Sequence, residues 1–288
     1  MINFERLIVG VDGSDGSKRA LAWATSQIPD GHLTVVHAFS PGVELLAAAA
    51  QVNLDPVRAD HKKSLATTWS ESPRAAGVEF EVELIDDEVS AALVDAADRR
   101  SADAIVVGHQ GHGRWSQHHI GRVASRLLHH CPVPLVITSD TTEPAPVSGP
   151  ILVGLSHPSI DDNPELDWAI EFATQHKLGL HLVSLVEPMM YFDEAYVVDM
   201  NVVASALTEQ LSALVAELQI RLPDVDITAA STMGYPVTEL ARAATEIDAG
   251  LVVLGSHHPP ALVGFLAGSV AQLLPPHLEC PMVAVPRA

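Results

Sequence analysis

Short apolar, β-branched runs alternate along this chain with longer stretches in which Ala, Leu and charged residues recur at helical spacing. In the first half the apolar runs are Leu7–Val11, Leu33–Ala38, Phe80–Leu84, Ala104–Val107 and Leu135–Thr138. Between them, Ser17–Gln27, Val57–Trp69, Val89–Arg100 and Gly121–His129 carry the helical pattern. Runs such as Ile105-Val106-Val107 are continuous rather than alternating, so both faces of each strand must be covered. That is the mark of a parallel sheet flanked by helices. Residues 151–288 repeat the pattern, with strands expected at Ile151–Leu155, Leu180–Val186, Asp226–Ala230, Leu251–Leu254 and Met282–Val285.

The second half is a copy of the first. Gly10 and Gly154 stand in equivalent opening strands, and Gly108 and Gly255 close equivalent later ones. Gly121 and Gly268 each follow by the same interval, and both halves end on Cys-Pro and a β-branched run, at Cys131-Pro132 and Cys280-Pro281. Four landmarks kept in order read as tandem domains, 1–140 and 151–288, joined by a Thr-, Pro- and Ser-rich linker at 141–150. Each half is long enough to bury its own core. The expected fold is α/β: two tandem Rossmann-like or flavodoxin-like domains, each a five-stranded parallel sheet flanked by helices.

Charge narrows the partners. The net charge of −20 divides into −7 for residues 1–148 and −13 for 149–288. So acidic a surface repels phosphate backbones and anionic lipid headgroups, which argues against nucleic-acid and membrane partners. No apolar stretch approaches the length of a membrane span, and the strand pattern starts at once without a secretory leader; the expected compartment is the cytoplasm. Two cysteines at matching places in the repeats fit reduced thiols better than a disulfide framework.

Candidate chemistry lies where the strands end. In an open parallel sheet, ligands bind beyond the carboxyl ends of the strands at the point where the winding reverses. Gly10-Val11-Asp12-Gly13-Ser14 leaves the first strand, and Gly108-His109-Gln110-Gly111-His112-Gly113 leaves the fourth, with Gly121 opening a helix shortly after. Glycines admit an anion close to the backbone, and a helix N-terminus stabilises phosphate oxygens. Neither a Walker A loop nor a dinucleotide fingerprint is present, and by spacing alone the same glycines serve tight turns in any α/β fold.

Taken together, these residues resemble the universal stress protein family in its tandem form. The likeness rests on Val9-Gly10-Val11-Asp12-Gly13-Ser14, the Ala20 to Trp23 stretch, Gly234-Tyr235-Pro236, the Val-Val-Gly strand end and the Cys-Pro closures. The resemblance implies an ATP site in which adenine lies by Val11, Asp12 and Ala38, and phosphates, with Mg where ATP brings it, over Gly108, Gly111, His112, Gly113 and the turn at Gly121, Arg122 and Val123. Repeat one carries Arg122 where the family pattern has Ser or Thr. Repeat two keeps Gly255, Gly268 and Ser269, but His258 replaces the middle glycine, Pro259 and Pro260 follow, and Ser156 stands in place of Asp12. ATP is therefore expected in repeat one and doubtful in repeat two. The family also implies pairing of the repeats through their last strands as a pseudo-dimer, or a homodimer.

The remaining features imply less. His109, His112, His118 and His119 crowd one loop and His257 and His258 its counterpart, but no carboxylate or thiol at ligand spacing completes a metal set. They read as solvated or phosphate-facing side chains. Nothing forms a nucleophile elbow or an acid–base pair, so the expectation is a stress-linked regulator, at most slow with ATP, rather than an enzyme. A nucleotide-free interaction module is the alternative, using the apolar segments near 43–50 and 189–198 to meet an unknown protein partner.

Overall fold

The structure, a computed structural model, describes residues 4–39, 50, 53–111, 119–161, 163–186, 200–256 and 267–286. The chain divides into two compact units, Phe4–Pro146 and a second that contains Val147–Ala288.

In the first unit the strands are β1 (Arg6–Gly10), β2 (His32–Ala38), β3 (Glu79–Ile85), β4 (Ala104–Gly108) and β5 (Leu135–Thr138). They pair in the order β3-β2-β1-β4-β5, every pairing parallel. This is the Rossmann strand order, and the winding reverses between β1 and β4, where Leu7, Ile8 and Val9 pair with Ala104, Ile105 and Val106. The central runs are fully covered: Leu7, Ile8, Val9, Ile105 and Val106 are all at most 1% exposed. At the edge, β3 alternates Glu79, Glu81 and Glu83 with apolar residues; Arg99 pairs with Glu83, and Arg100 with Glu81 and Glu83. Charge along this strand guards it against pairing with another chain.

Helices α1 (Asp15–Gln27), α2 (Asp55–Ala66), α3 (Glu71–Ala76), α4 (Val89–Arg100) and α5 (Arg122–His130) connect the strands. Ser14 caps α1 by accepting the Ser17 N–H at 3.2 Å, and the helix then buries Ala20, Leu21, Trp23 and Ala24 against the sheet. Glu88 caps α4 through the N–H groups of Ser90 and Ala91, and left-handed Ser101 ends it. The helix expected to run to Trp69 stops at Ala66 instead. Thr67 departs from helical geometry, and a 3₁₀ turn over Thr68–Ser70 carries Trp69 before α3 begins. Gly121 is the N-cap of α5 rather than its first residue.

The second unit has β6 (Ile151–Leu155), β7 (Leu180–Val186), β8 (Ile227–Met233), β9 (Leu251–Gly255) and β10 (Met282–Val285), in the order β8-β7-β6-β9-β10 and again parallel. Its described helices are α6 (Pro164–His176), α7 (Met200–Arg221), α8 (Pro236–Glu246) and α9 (Ala267–Leu273). On α6, Trp168 and Phe172 stack at 5.0 Å and form the middle of the core with Leu166 and Ala173. The strand expected from Asp226 begins one residue later and runs on to Met233. No helix of the described residues is long and apolar enough to cross a membrane.

Candidate functional site

In the first unit three walls meet beyond the carboxyl ends of β1, β2 and β4. The first is the turn after β1. Val11 is still tied to the sheet, its N–H donating to Val36 at 2.9 Å. The Asp12 carboxylate then folds the chain back by accepting the Ser14 N–H through Oδ1 at 2.9 Å, a side-chain turn of the kind Asp favours. Gly13 follows at φ 84°, a conformation that disfavours any side chain.

The second wall leaves β4. A Cβ on Gly108 would stand 2.7 Å from the backbone of Gly16, and one on Gly16 would stand 2.2 Å from the Gln110 carbonyl. The start of α1 is thereby locked against the loop. Gly111 differs, because a Cβ there would meet only the Asp12 carboxylate, at 2.4 Å from Oδ2. Gly111 is therefore side-chain-free to leave room for Asp12, and its φ is not in the left-handed region. Gly121 closes the loop with its N–H on the His109 carbonyl at 2.6 Å, and no side chain caps α5. Its first residues, Arg122 and Val123, thus open a helix of nine residues with its N-terminus turned to the loop and no acid in its first turn. Arg122 is exposed and makes no ion pair among the described residues.

His109 is a correction to the reading of a solvated histidine. It is 3% exposed, with Nε2 at 3.6 Å from Asp140, which Arg19 also grips. Burial lowers its pKa below the usual histidine value, Asp140 opposing and Arg19 adding to the shift. It is a neutral, interior group that anchors the loop to the end of β5. His119 is exposed, and its carbonyl accepts from Gln110 Nε2. His129 and His130 end α5, as expected.

The third wall follows β2. His37, one residue before half-buried Ala38, makes a 2.8 Å hydrogen bond from Nδ1 to the Val11 carbonyl. A carbonyl only accepts, so Nδ1 carries the proton and Nε2 accepts from His61 Nδ1 at 2.9 Å. Phe39 and Trp69 pack edge-on against His37, at 6.0 and 5.0 Å between ring centres. Burial lowers the His37 pKa, and the neighbouring His61 adds to the shift.

The second unit is built differently at the matching point. Its β6–α6 connection is longer, and the second residue of α6 is Glu165, where α1 has Gly16. Glu165 is 2% exposed, and its carboxylate lies 3.0 Å from the position of a Cβ on Gly255. The Glu165 side chain thus occupies the space at the end of β9. Ser156, in the place of Asp12, is exposed and contacts His157 at 3.1 Å.

Among the residues expected to form the site, Gly10, Val11, Asp12, Ala38, Gly108, Gly111, Gly121, Arg122 and Val123 do lie at the carboxyl end of the first sheet. Asp12 and Gly111 are in contact. His112 and Gly113 lie outside the described residues, as do His118, His257, His258, Pro259 and Pro260. So do most of the segments 43–50 and 189–198. Gly268 and Ser269 fall in α9. The sequence reading missed Gly16, His37, Trp69 and Glu165. Gly16 had a signal, since a glycine in the first turn of a helix loses stability unless backbone must come close. No cluster of metal ligands occurs among the described residues. Cys131 and Cys280 are free, and burial pushes their thiols up to about 11 and about 12, which keeps them protonated.

Two tandem α/β units, each a five-stranded parallel sheet wound in the Rossmann order, define the class of protein by its fold. The chain matches the universal stress protein family over residues 3–139 and 148–286, and it belongs to that family. A universal stress protein of Mycobacterium tuberculosis is 31% identical over 291 residues, covering 96% of this chain and 95% of the relative. One from Mycolicibacterium smegmatis is 28% identical over 301 residues, covering 97% and 96%. The crystal structure of a universal stress protein from Archaeoglobus fulgidus shares the fold, with a TM-score of 0.66 at 15% identity over 99% of each chain.

Proposed function

We propose that this protein is a regulatory universal stress protein that binds one adenine nucleotide, in repeat one. The observation that carries the reading is the cradle formed by the glycine turn at Gly108–Gly111 and the N-terminus of α5, which no side chain caps and whose first turn holds no acid. Such a cradle fits a phosphate group. The backbone of the loop from Gly108 to Gly111 and the first turn of α5 would hold the phosphates, and Arg122, exposed and unpaired among the described residues, would add a charged fork. Mg would enter with the ATP. The bound nucleotide supplies charge and a γ-phosphate at the carboxyl end of β4 and biases a partner surface. Repeat two is read as nucleotide-free, because Glu165 sets a carboxylate where phosphate would have to lie. A homodimer in the cytoplasm is part of the same reading.

Calorimetric titration of Mg-ATP into wild type, Gly111→Ala and Arg122→Ser tests it. Saturable binding in wild type that fails in Gly111→Ala is the expected result. No heat with wild type at millimolar ATP, with binding restored by Arg122→Ser, would show that arginine closes the cleft and that the protein works through contacts alone.

A further inference from the structure

The third wall of the repeat-one cleft has no role in the reading above, although its construction is specific. The 3₁₀ turn over Thr68–Ser70 is fixed by fully buried Ser70, whose hydroxyl donates to the Leu65 carbonyl at 2.6 Å. This holds Trp69 over the turn after β1. A Cβ on Gly13 would lie 2.6 Å from the indole Cε2 and 2.7 Å from Nε1, so the left-handed glycine and the indole are a matched pair. The indole is nevertheless only half-buried. His37 and His61 meet it edge-on, at 5.0 and 5.4 Å between ring centres with interplanar angles of 69° and 61°. Their mutual hydrogen bond and the bond from His37 to Val11 fix both rings in place. The indole is thus clamped beside the Asp12 turn by neighbours that contact it in an edge-to-face arrangement and leave it partly open.

The ligand's geometry gives this wall its task. Phosphates belong on the β4 side, where Gly111 and α5 lie. Strand β1 stands between β2 and β4, so the rest of a nucleotide crosses the Asp12 turn toward β2 and comes to the aromatic wall. We propose that Trp69 is a nucleobase-stacking residue of the repeat-one site, with His37 and His61 as positioning residues that hold it. The proposal rests on the nucleotide reading of repeat one. A rigid indole offers a flat apolar face at small entropic cost, and stacking on one base contributes roughly ten- to hundredfold in affinity.

The experiment compares Mg-ATP with inorganic tripolyphosphate as ligands for wild type, Trp69→Ala and Trp69→Phe. Trp69→Ala should weaken ATP binding roughly ten- to hundredfold and leave tripolyphosphate binding unchanged, whereas Trp69→Phe should hold ATP within a few-fold of wild type. Photolabelling of wild type with 8-azido-ATP supplies a readout that needs no variant, and the label should map to the peptide containing Trp69. Unchanged ATP affinity in Trp69→Ala, equal losses for both ligands, or a label elsewhere would overturn the stacking role while leaving the nucleotide reading intact. Wild-type protein that takes up neither ligand would overturn both.

Discussion

Three glycines of the repeat-one loop are equivalent in sequence and should differ in energy, because each faces a different neighbour. In Gly108→Ala the new Cβ falls 2.7 Å from the carbonyl carbon and oxygen of Gly16. A carbon–oxygen contact needs about 3.3 Å, and Gly16 cannot retreat without lifting the first turn of α1, where Lys18 already bonds back to Ser14 at 3.0 Å. Overpacking of this kind costs about 1–3 kcal/mol. In Gly111→Ala the clash, at 2.4 Å, is with the tip of the Asp12 side chain, which can swing away at the loss of its part-buried hydrogen bond from Ser14. That loss is about 1 kcal/mol. In Gly121→Ala the nearest atom is 3.4 Å away, and a weaker N-cap is offset by a less flexible unfolded chain, each about 0.5 kcal/mol. The expected order of destabilisation is Gly108→Ala, then Gly111→Ala, then Gly121→Ala near zero. Urea unfolding followed by tryptophan emission in a Trp168→Phe background reads it, since Trp23, Trp69 and Trp115 all lie in the first half. The functional order is different: Gly111→Ala, which turns Asp12 aside, should lose at least tenfold in Mg-ATP affinity at small cost in stability. If Gly111→Ala unfolds as early as Gly108→Ala, the middle glycine serves the backbone of the turn, and the account of the cradle is wrong.

Other expectations follow from single side chains. Glu165→Gln removes the carboxylate set against Gly255, so weak Mg-ATP binding in repeat two should appear as a second, low-affinity phase in titrations of the full chain; a curve identical to wild type would show that Glu165 does not exclude the ligand. Burial lowers the pKa of both His37 and His109, so the unfolded chain takes up protons first as pH falls. Their neutral forms stabilise the fold fully above the ordinary histidine pKa of about 6.5, and that contribution is lost as pH falls through their lower folded values. Melting temperature should therefore decline from pH 7 to pH 5, and more shallowly in His37→Gln; a flat profile contradicts the burial of neutral rings. At the β3 edge, Glu83 is held below the usual carboxylate range against the effect of its burial by Arg99 and Arg100. Glu83→Val removes that guard and should raise the rate of aggregation measured by light scattering, with no rise if charge is not what protects the strand.

The fold was legible because its signal is local. Continuous apolar runs such as Leu7–Val9 and Ile105–Val107 can only be strands covered on both faces, and the repeat doubled the evidence. The strands Leu135–Thr138, Ile151–Leu155, Leu180–Val186 and Met282–Val285 have the bounds expected of them, since Pro or Gly stands just outside most of their ends. The helix that stops at Ala66 was misjudged because Thr67 and Trp69 continue an apolar pattern while Thr67 leaves helical geometry. The glycines and Asp12 were visible as site candidates from their place at strand ends. Gly16, Trp69 and Glu165 were not, because their importance is a distance to a residue far away in sequence. The longer loop before α6 also hid that Glu165 stands where Gly16 does in repeat one. His109 reads in sequence as one of a polar cluster, and only its packing against β5 shows it to be interior.

The central claim is that one half of this chain binds nucleotide and the other does not. Equilibrium dialysis against labelled Mg-ATP, at a protein concentration high enough to count sites, measures that number directly. The account predicts one ATP per chain, abolished by Asp12→Ala or Gly111→Ala. Two per chain would contradict the reading of Glu165, and none would contradict the reading of the cradle formed by the Gly108–Gly111 turn and α5.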